Sequence, residues 1–149
     1  MKSSKSNQGF SLVELMIGVV IIGILGVVAF PSYQEFIRTG NRADAMGQLV
    51  ELTIEMEQFR ASNNTYAGAA QGGGDTGTPD SDLLMELDEY VTNNYTVTIL
   101  AADRDSFMLR AVPVGMQEDD VCGTITIGLN GDFNYAPLDG SVAPDSCEK

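Results

Sequence analysis

The sequence predicts an α+β protein in which one long N-terminal helix packs on a three- to four-stranded antiparallel sheet. Three observations carry that expectation. Phe10 to Phe30 is a 21-residue stretch with 16 hydrophobic residues. Ala45, Leu49, Leu52, Met56 and Phe59 then follow a 4-3-4-3 spacing, which makes one apolar stripe on a helix. Beyond Asn94, three segments alternate apolar and polar residues with the period of half-buried strands.

Composition bounds the chemistry. The chain has 149 residues, room for one ordinary domain. It carries 8 Lys and Arg against 21 Asp and Glu, a formal charge of -13, with no His and 2 Cys. Without His there is no Ser–His–Asp triad, Cys–His dyad or His-based metal site. Two Cys alone cannot complete a structural zinc site. No catalytic residue, metal or cofactor is expected, and the chain does not read as an enzyme. Residues 40–149 hold 5 basic and 19 acidic side chains, for -14, whereas residues 1–39 sum to +1. That acidity argues against neutralising phosphates over a broad surface, so nucleic acid is not an expected partner. The asymmetry also suggests that one end meets a membrane and the other meets water.

The elements follow in order. Residues 1–9 are short, basic and polar, with Lys2 and Lys5. The apolar run after them is long enough to cross a bilayer core of ~30 Å as a helix. The positive-inside rule keeps its N-terminus cytoplasmic and sends the remainder across. It ends in Ala29-Phe30-Pro31, a poor small-residue site for ordinary secretory cleavage. Glu14 lies inside it, where a carboxylate costs roughly 2.5–3.5 kcal/mol near the centre of a span and less near the interface. A cut after Gly9 would give Phe10 an α-amino group of pKa ~7.7–8.0, a cation four residues from Glu14 or available to a neighbouring molecule. Pro31 is expected to bend the helix, since it lacks an N–H and clashes with the preceding turn.

Gly9-Phe10-Ser11-Leu12-Val13-Glu14-Leu15-Met16, followed by the apolar run and by Pro31 and Tyr33, closely resembles the N-terminus of type IV pilins. The resemblance implies cleavage by a prepilin peptidase between Gly9 and Phe10 and N-methylation of Phe10. It also implies that Glu14 pairs with the N-terminal amine of an adjacent subunit during assembly. Removing the leader would leave 6 basic and 21 acidic side chains. Residues 1–9 are thus expected as a leader and 10–31 as the membrane-spanning, filament-core half of the helix. Residues 32–149 form the head, including an amphipathic helical half to about residue 63.

Within the head, Met46, Val50 and Ile54 form a second, weaker apolar row that suits either partial exposure or neighbouring subunits. Asn63-Asn64 ends the helix, and a helix from Phe10 to Asn63 would be about 81 Å long. Residues 67–81, rich in Gly, read as a flexible linker. Asp80-Ser81-Asp82 can cap a short helix through Tyr90. Strands are expected around Tyr95–Ile99, Phe107–Ala111 and Ile125–Leu129. Asn130-Gly131 turns the last of these into a short fourth strand from Asp132 to Tyr135. Glu118-Asp119-Asp120, Asp103-Arg104-Asp105 and Asp80-Ser81-Asp82 read as solvated acidic surface, none with calcium-loop spacing. In type IV pilins a C-terminal disulfide loop is common, and Cys122 with the late Cys147 resembles it, especially in minor pilins. Closing that loop contributes roughly 3.5 kcal/mol on the loop-entropy account.

The resemblance therefore implies a structural subunit of a type IV pilus serving adhesion, twitching motility or DNA uptake. Its implied partners are other pilin subunits, prepilin peptidase, the inner-membrane assembly machinery with its extension ATPase, and the inner membrane itself. Before assembly the head would lie in the periplasm, and afterwards in an extracellular fimbrium. Two alternatives stand beside it: a pseudopilin of a type II secretion system, and a membrane-anchored binding module that never polymerises.

Overall fold

A computed structural model describes residues 11–80, 83 and 93–148. The described elements are α1 (Leu12–Asn63), β1 (Tyr95–Ala102), β2 (Phe107–Pro113), β3 (Thr124–Gly128) and β4 (Phe133–Ala136). Single turns of 3-10 helix lie at Gly115–Gln117 and Asp145–Glu148. The sheet has the order β1-β2-β3-β4, antiparallel throughout. The expected α+β architecture is present, with the fourth strand included. By contacts the chain forms two units, Met1–Ile37 and Arg38–Lys149.

In the first unit, the described residues are helical from Leu12 onward and almost all exposed. The helix passes through Pro31 without interruption, although proline leaves the preceding turn one donor short.

In the second unit, α1 presents Ala45, Leu49, Leu52 and Met56, all fully buried, as the expected stripe. Phe59 packs beside them, half-buried. The sheet answers with one face: Tyr95, Val97 and Ile99 from β1, Phe107, Leu109 and Ala111 from β2, Ile125 and Ile127 from β3. Alternation puts these side chains on one side because the strand period is two. Fully burying a Leu or Ile side chain is worth ~1.5–3 kcal/mol, so this shared face holds helix and sheet together. The helix ends where expected. Asn64 takes φ 57°, and its N–H donates to the Arg60 carbonyl at 2.7 Å. Asparagine is among the few residues that enter this left-handed region readily.

One expectation needs correction, and one row divides between its two alternatives. The Gly-rich stretch is not a flexible linker. Tyr66, Ala69 and Ala70 are fully buried, and Gly77 exchanges two backbone hydrogen bonds with Ile99 of β1, at 2.9 and 2.8 Å. The stretch covers the free edge of β1 beside a bulge between Ile99 and Ala101. The Met46, Val50 and Ile54 row is split. Met46 turns half-buried toward the core and receives a hydrogen bond from the Tyr135 hydroxyl at 3.5 Å, whereas Val50 and Ile54 stay exposed. The β3–β4 hairpin forms as expected, with Gly131 at φ 76° and its N–H on the Gly128 carbonyl. The expected short helix through Tyr90 lies outside the described residues, apart from a buried Leu83.

Candidate functional site: an exposed apolar helix and a buried polar cluster

The residues expected to carry function fall in separate places. Gly9 and Phe10 lie outside the described residues. Glu14 stands in the first turn of α1, exposed, among exposed Leu12, Val13, Leu15 and Met16. Its side chain has no hydrogen bond or ion pair among the described residues. An acid in the first helical turn complements the dipole for a few tenths of a kcal/mol, far less than a buried partner would give. One apolar window of α1 is long enough to cross a membrane, and none of that window is buried.

The head-side part of the same helix is also unevenly used. Gly40, Ala43, Gly47, Val50 and Ile54 are exposed and follow a 3-4-3-4 spacing. At 100° per residue they lie roughly opposite the stripe buried under the sheet. The back of the helix is thus small and apolar, without a charge on the row.

Cys122 and Cys147 are disulfide-bonded, with Cα atoms 5.7 Å apart. Next to Cys122 the structure holds a polar cluster that the sequence reading missed. The sequence places Asp120 in a solvated acidic surface; the structure corrects this, since Asp120 is only 4% exposed. Its carboxylate accepts from Arg42 Nε at 3.0 Å and from Arg42 Nη2. It also accepts from the Tyr95 hydroxyl at 3.0 Å, Gln117 Nε2 at 3.0 Å and the Cys122 N–H at 3.1 Å. Gln117 Nε2 also donates to the Arg38 carbonyl, and Asn41 Nδ2 donates to Gln117 Oε1 at 2.9 Å. Burial pushes the Asp120 carboxyl up. The Arg42 guanidinium and the Cys122 N–H outweigh it and hold the group below the ordinary carboxylate range. The Tyr95 hydroxyl is pushed well above its usual value, first by burial and then by the Asp120 charge.

One signal for this cluster was available. Arg42 precedes Ala45 by three residues, so it continues the buried stripe backwards in register. A charge in register with an apolar stripe needs a buried partner. The sequence does not say which acid that is.

The described elements define a class: an N-terminal helix long and apolar enough to cross a membrane, in a chain with a disulfide-closed α+β unit. A family model described as type IV minor pilin ComP, DNA uptake sequence receptor, matches residues 31–126, and one for the prokaryotic N-terminal methylation motif matches residues 4–30. The chain belongs to that type IV pilin family. It is 37% identical over 91 residues to a type IV major fimbrial protein FimA of Dichelobacter nodosus, 60% of this chain and 54% of the relative. It is 36% identical over 64 residues to the type IV major pilin protein PilA of Myxococcus xanthus, covering 43% and 29%. A type II secretion system core protein G of Pectobacterium carotovorum subsp. carotovorum is 28% identical over 71 residues, covering 48% and 46%. The chain therefore spans about half or less of these curated relatives. The family and these relatives make it a pilus-type subunit.

Proposed function

We propose that this chain is a type IV prepilin. In this reading it is cut between Gly9 and Phe10, methylated at Phe10, held in the inner membrane, and assembled through α1 into a pilus. The single observation that carries the reading is an exposed Glu14, unpaired among the described residues, in the first turn of a helix whose apolar membrane-length window is unburied. A free carboxylate in that setting calls for a cation, and the amine created at Phe10 of a neighbouring subunit supplies one. The match over residues 4–30 to an N-terminal methylation motif supports the processing step. The small apolar back of the helix supports close helix packing in a filament core. Pro31 and the glycines before it would let the helix adjust during assembly. The partners are then other pilins, prepilin peptidase and the assembly machinery, with the head periplasmic first and extracellular afterwards. No catalysis is assigned.

The test is Glu14→Ala in the chain's own host. The variant is expected to be cleaved and inserted but absent from sheared filaments. Normal filament yield from it would refute the assembly role. Among outputs, DNA uptake has a specific observation in its favour, the family description itself. The head's charge opposes direct binding: among the described residues Arg38, Arg42 and Arg60 are each paired with an Asp. DNA capture by purified filaments that falls steeply with salt would favour the receptor reading over adhesion or motility. The pseudopilus alternative predicts loss of secretion, with no surface filament, when the chain is deleted.

A further inference from the structure

The two ends of the head differ chemically. Near one end of its helical part, Asp119 and Asp120 meet Arg38 and Arg42; near the other, Asp105 meets Arg60. Arg38 and Arg60 are 22 residues apart, about 33 Å along the helix.

At the Arg38 end, a cavity of 370 Å³ opens between residues 118–121 and residues 137–144, which lie inside the disulfide loop. Glu118, Asp119 and Asp139 bring carboxylates to it, and Val121, Leu138 and Val142 give it apolar walls. Leu138 is 53% exposed and Val142 92%. Residues 137–144 fall beyond the 31–126 stretch that the family model matches. At the Arg60 end, Arg104 sits exposed in the β1–β2 turn, beside Glu57, Arg60 and Asp105. It makes no ion pair or side-chain hydrogen bond among the described residues. Arg110 lies within β2 and donates to Thr98 Oγ1 at 3.4 Å. Arg104 is the one described arginine with neither kind of partner.

We propose that Arg104 of one copy docks in the acidic, apolar-walled cavity of a second copy. The inference rests on the pilus-subunit reading. Copies stacked in parallel along the helix direction bring the Arg104 end of one toward the cavity end of the next. Two different surfaces then meet, a heterologous contact that repeats into an open filament. The chemistry is complementary. A guanidinium forks onto carboxylates, and its methylene stem lies along valine and leucine. Residues 40–149 carry -14, so neighbouring heads repel. A cation placed among three carboxylates offsets that repulsion where the heads meet.

The test uses full-length chain in assembled filaments carrying Arg104→Lys, which keeps the charge and adds an amine. A zero-length carbodiimide then joins that amine to any carboxylate it touches, and linked peptides are identified by mass spectrometry. The expected product joins position 104 to Glu118, Asp119 or Asp139 of another copy. About 33 Å of helix separates the two ends, so this link cannot form within one chain. In parallel, Arg104→Glu is expected to lower filament yield at least about fivefold at unchanged subunit level. Links to Glu57 or Asp105 of the same chain are expected in any case; filaments whose links between copies join position 104 only to other carboxylates, or to a different pilin, overturn the proposal, as does full yield from Arg104→Glu. If the unaltered chain enters no filament, the pilus-subunit reading fails and takes this inference with it.

Discussion

Replacing Asp120 by alanine removes one carboxylate that accepts hydrogen bonds from Arg42, Tyr95, Gln117 and the Cys122 N–H. The Arg42 side chain is only 7% exposed, so its guanidinium would keep its charge without its acid. Breaking a buried pair from one side costs about 3–5 kcal/mol, because the surviving charge remains desolvated. For a head of this size that is a fall in Tm of roughly 10–20 °C. The neighbouring Asp119 is the internal control. Its side chain is 84% exposed and meets Arg38 at 3.4 Å, a surface contact. Asp119→Ala should leave Tm unchanged within error. The assay is thermal unfolding of the detergent-solubilised full chain by tyrosine fluorescence, since the sequence has no Trp. A Tm loss at Asp120 no larger than at Asp119 would refute the argument that burial sets the cost.

Gly123 has φ 61°, and an added Cβ would stand 2.3 Å from the Ala136 carbonyl oxygen, so Gly123→Ala should cost on the order of 2–4 kcal/mol by the same melting assay. Stability should stay flat from about pH 7 to pH 5, because the chain has no His, and decline only as pH falls below about 4. The sign follows from Asp120, whose folded pKa is lowered: its contribution is complete above the unfolded value and is lost as pH drops through the folded one. Acid titration of Tm with its main loss between pH 5 and 7 would contradict this. Nonreducing mass analysis should find the Cys122–Cys147 chain two hydrogens lighter than its dithiol form, and reduction should remove roughly 3.5 kcal/mol of stability.

The periodic elements were legible because burial imposes a period on sequence. The stripe at Ala45, Leu49, Leu52 and Met56 and the alternation in β1, β2 and β3 each repeat several times, so a single residue cannot disguise them. The N-terminal motif was legible for another reason: Glu14 inside an apolar run is costly unless it has a use. The expected linker at 67–81 was misread because its order comes from contacts that composition does not encode. Gly77 bonds to Ile99, 22 residues away, and three small or aromatic residues sink into the core. Asp120 was misread because Asp119 beside it is exposed; only the fold decides which of two adjacent carboxylates turns inward.

The Arg42–Asp120 ion pair is buried on both sides. Apolar replacements for a buried ion pair are often neutral or stabilising, so burial alone does not account for it. The helix stripe repeats every seven residues through Leu49 and Met56, as it does through Ala45 and Leu52. Sliding the helix by one repeat, about 10 Å, would set similar side chains against the same sheet face. Apolar packing therefore separates those two registers weakly. A charge at position 42 separates them strongly, since a slide in either direction would carry the guanidinium away from Asp120, the one buried carboxylate among the described residues. The double replacement Arg42→Met with Asp120→Leu should then melt within about 2 kcal/mol of the original. It should lose uniqueness instead, giving more than one set of amide resonances for residues of β1 and β2. A single sharp set from that variant would mean that side-chain shape alone fixes the register and that the ion pair is not needed for it.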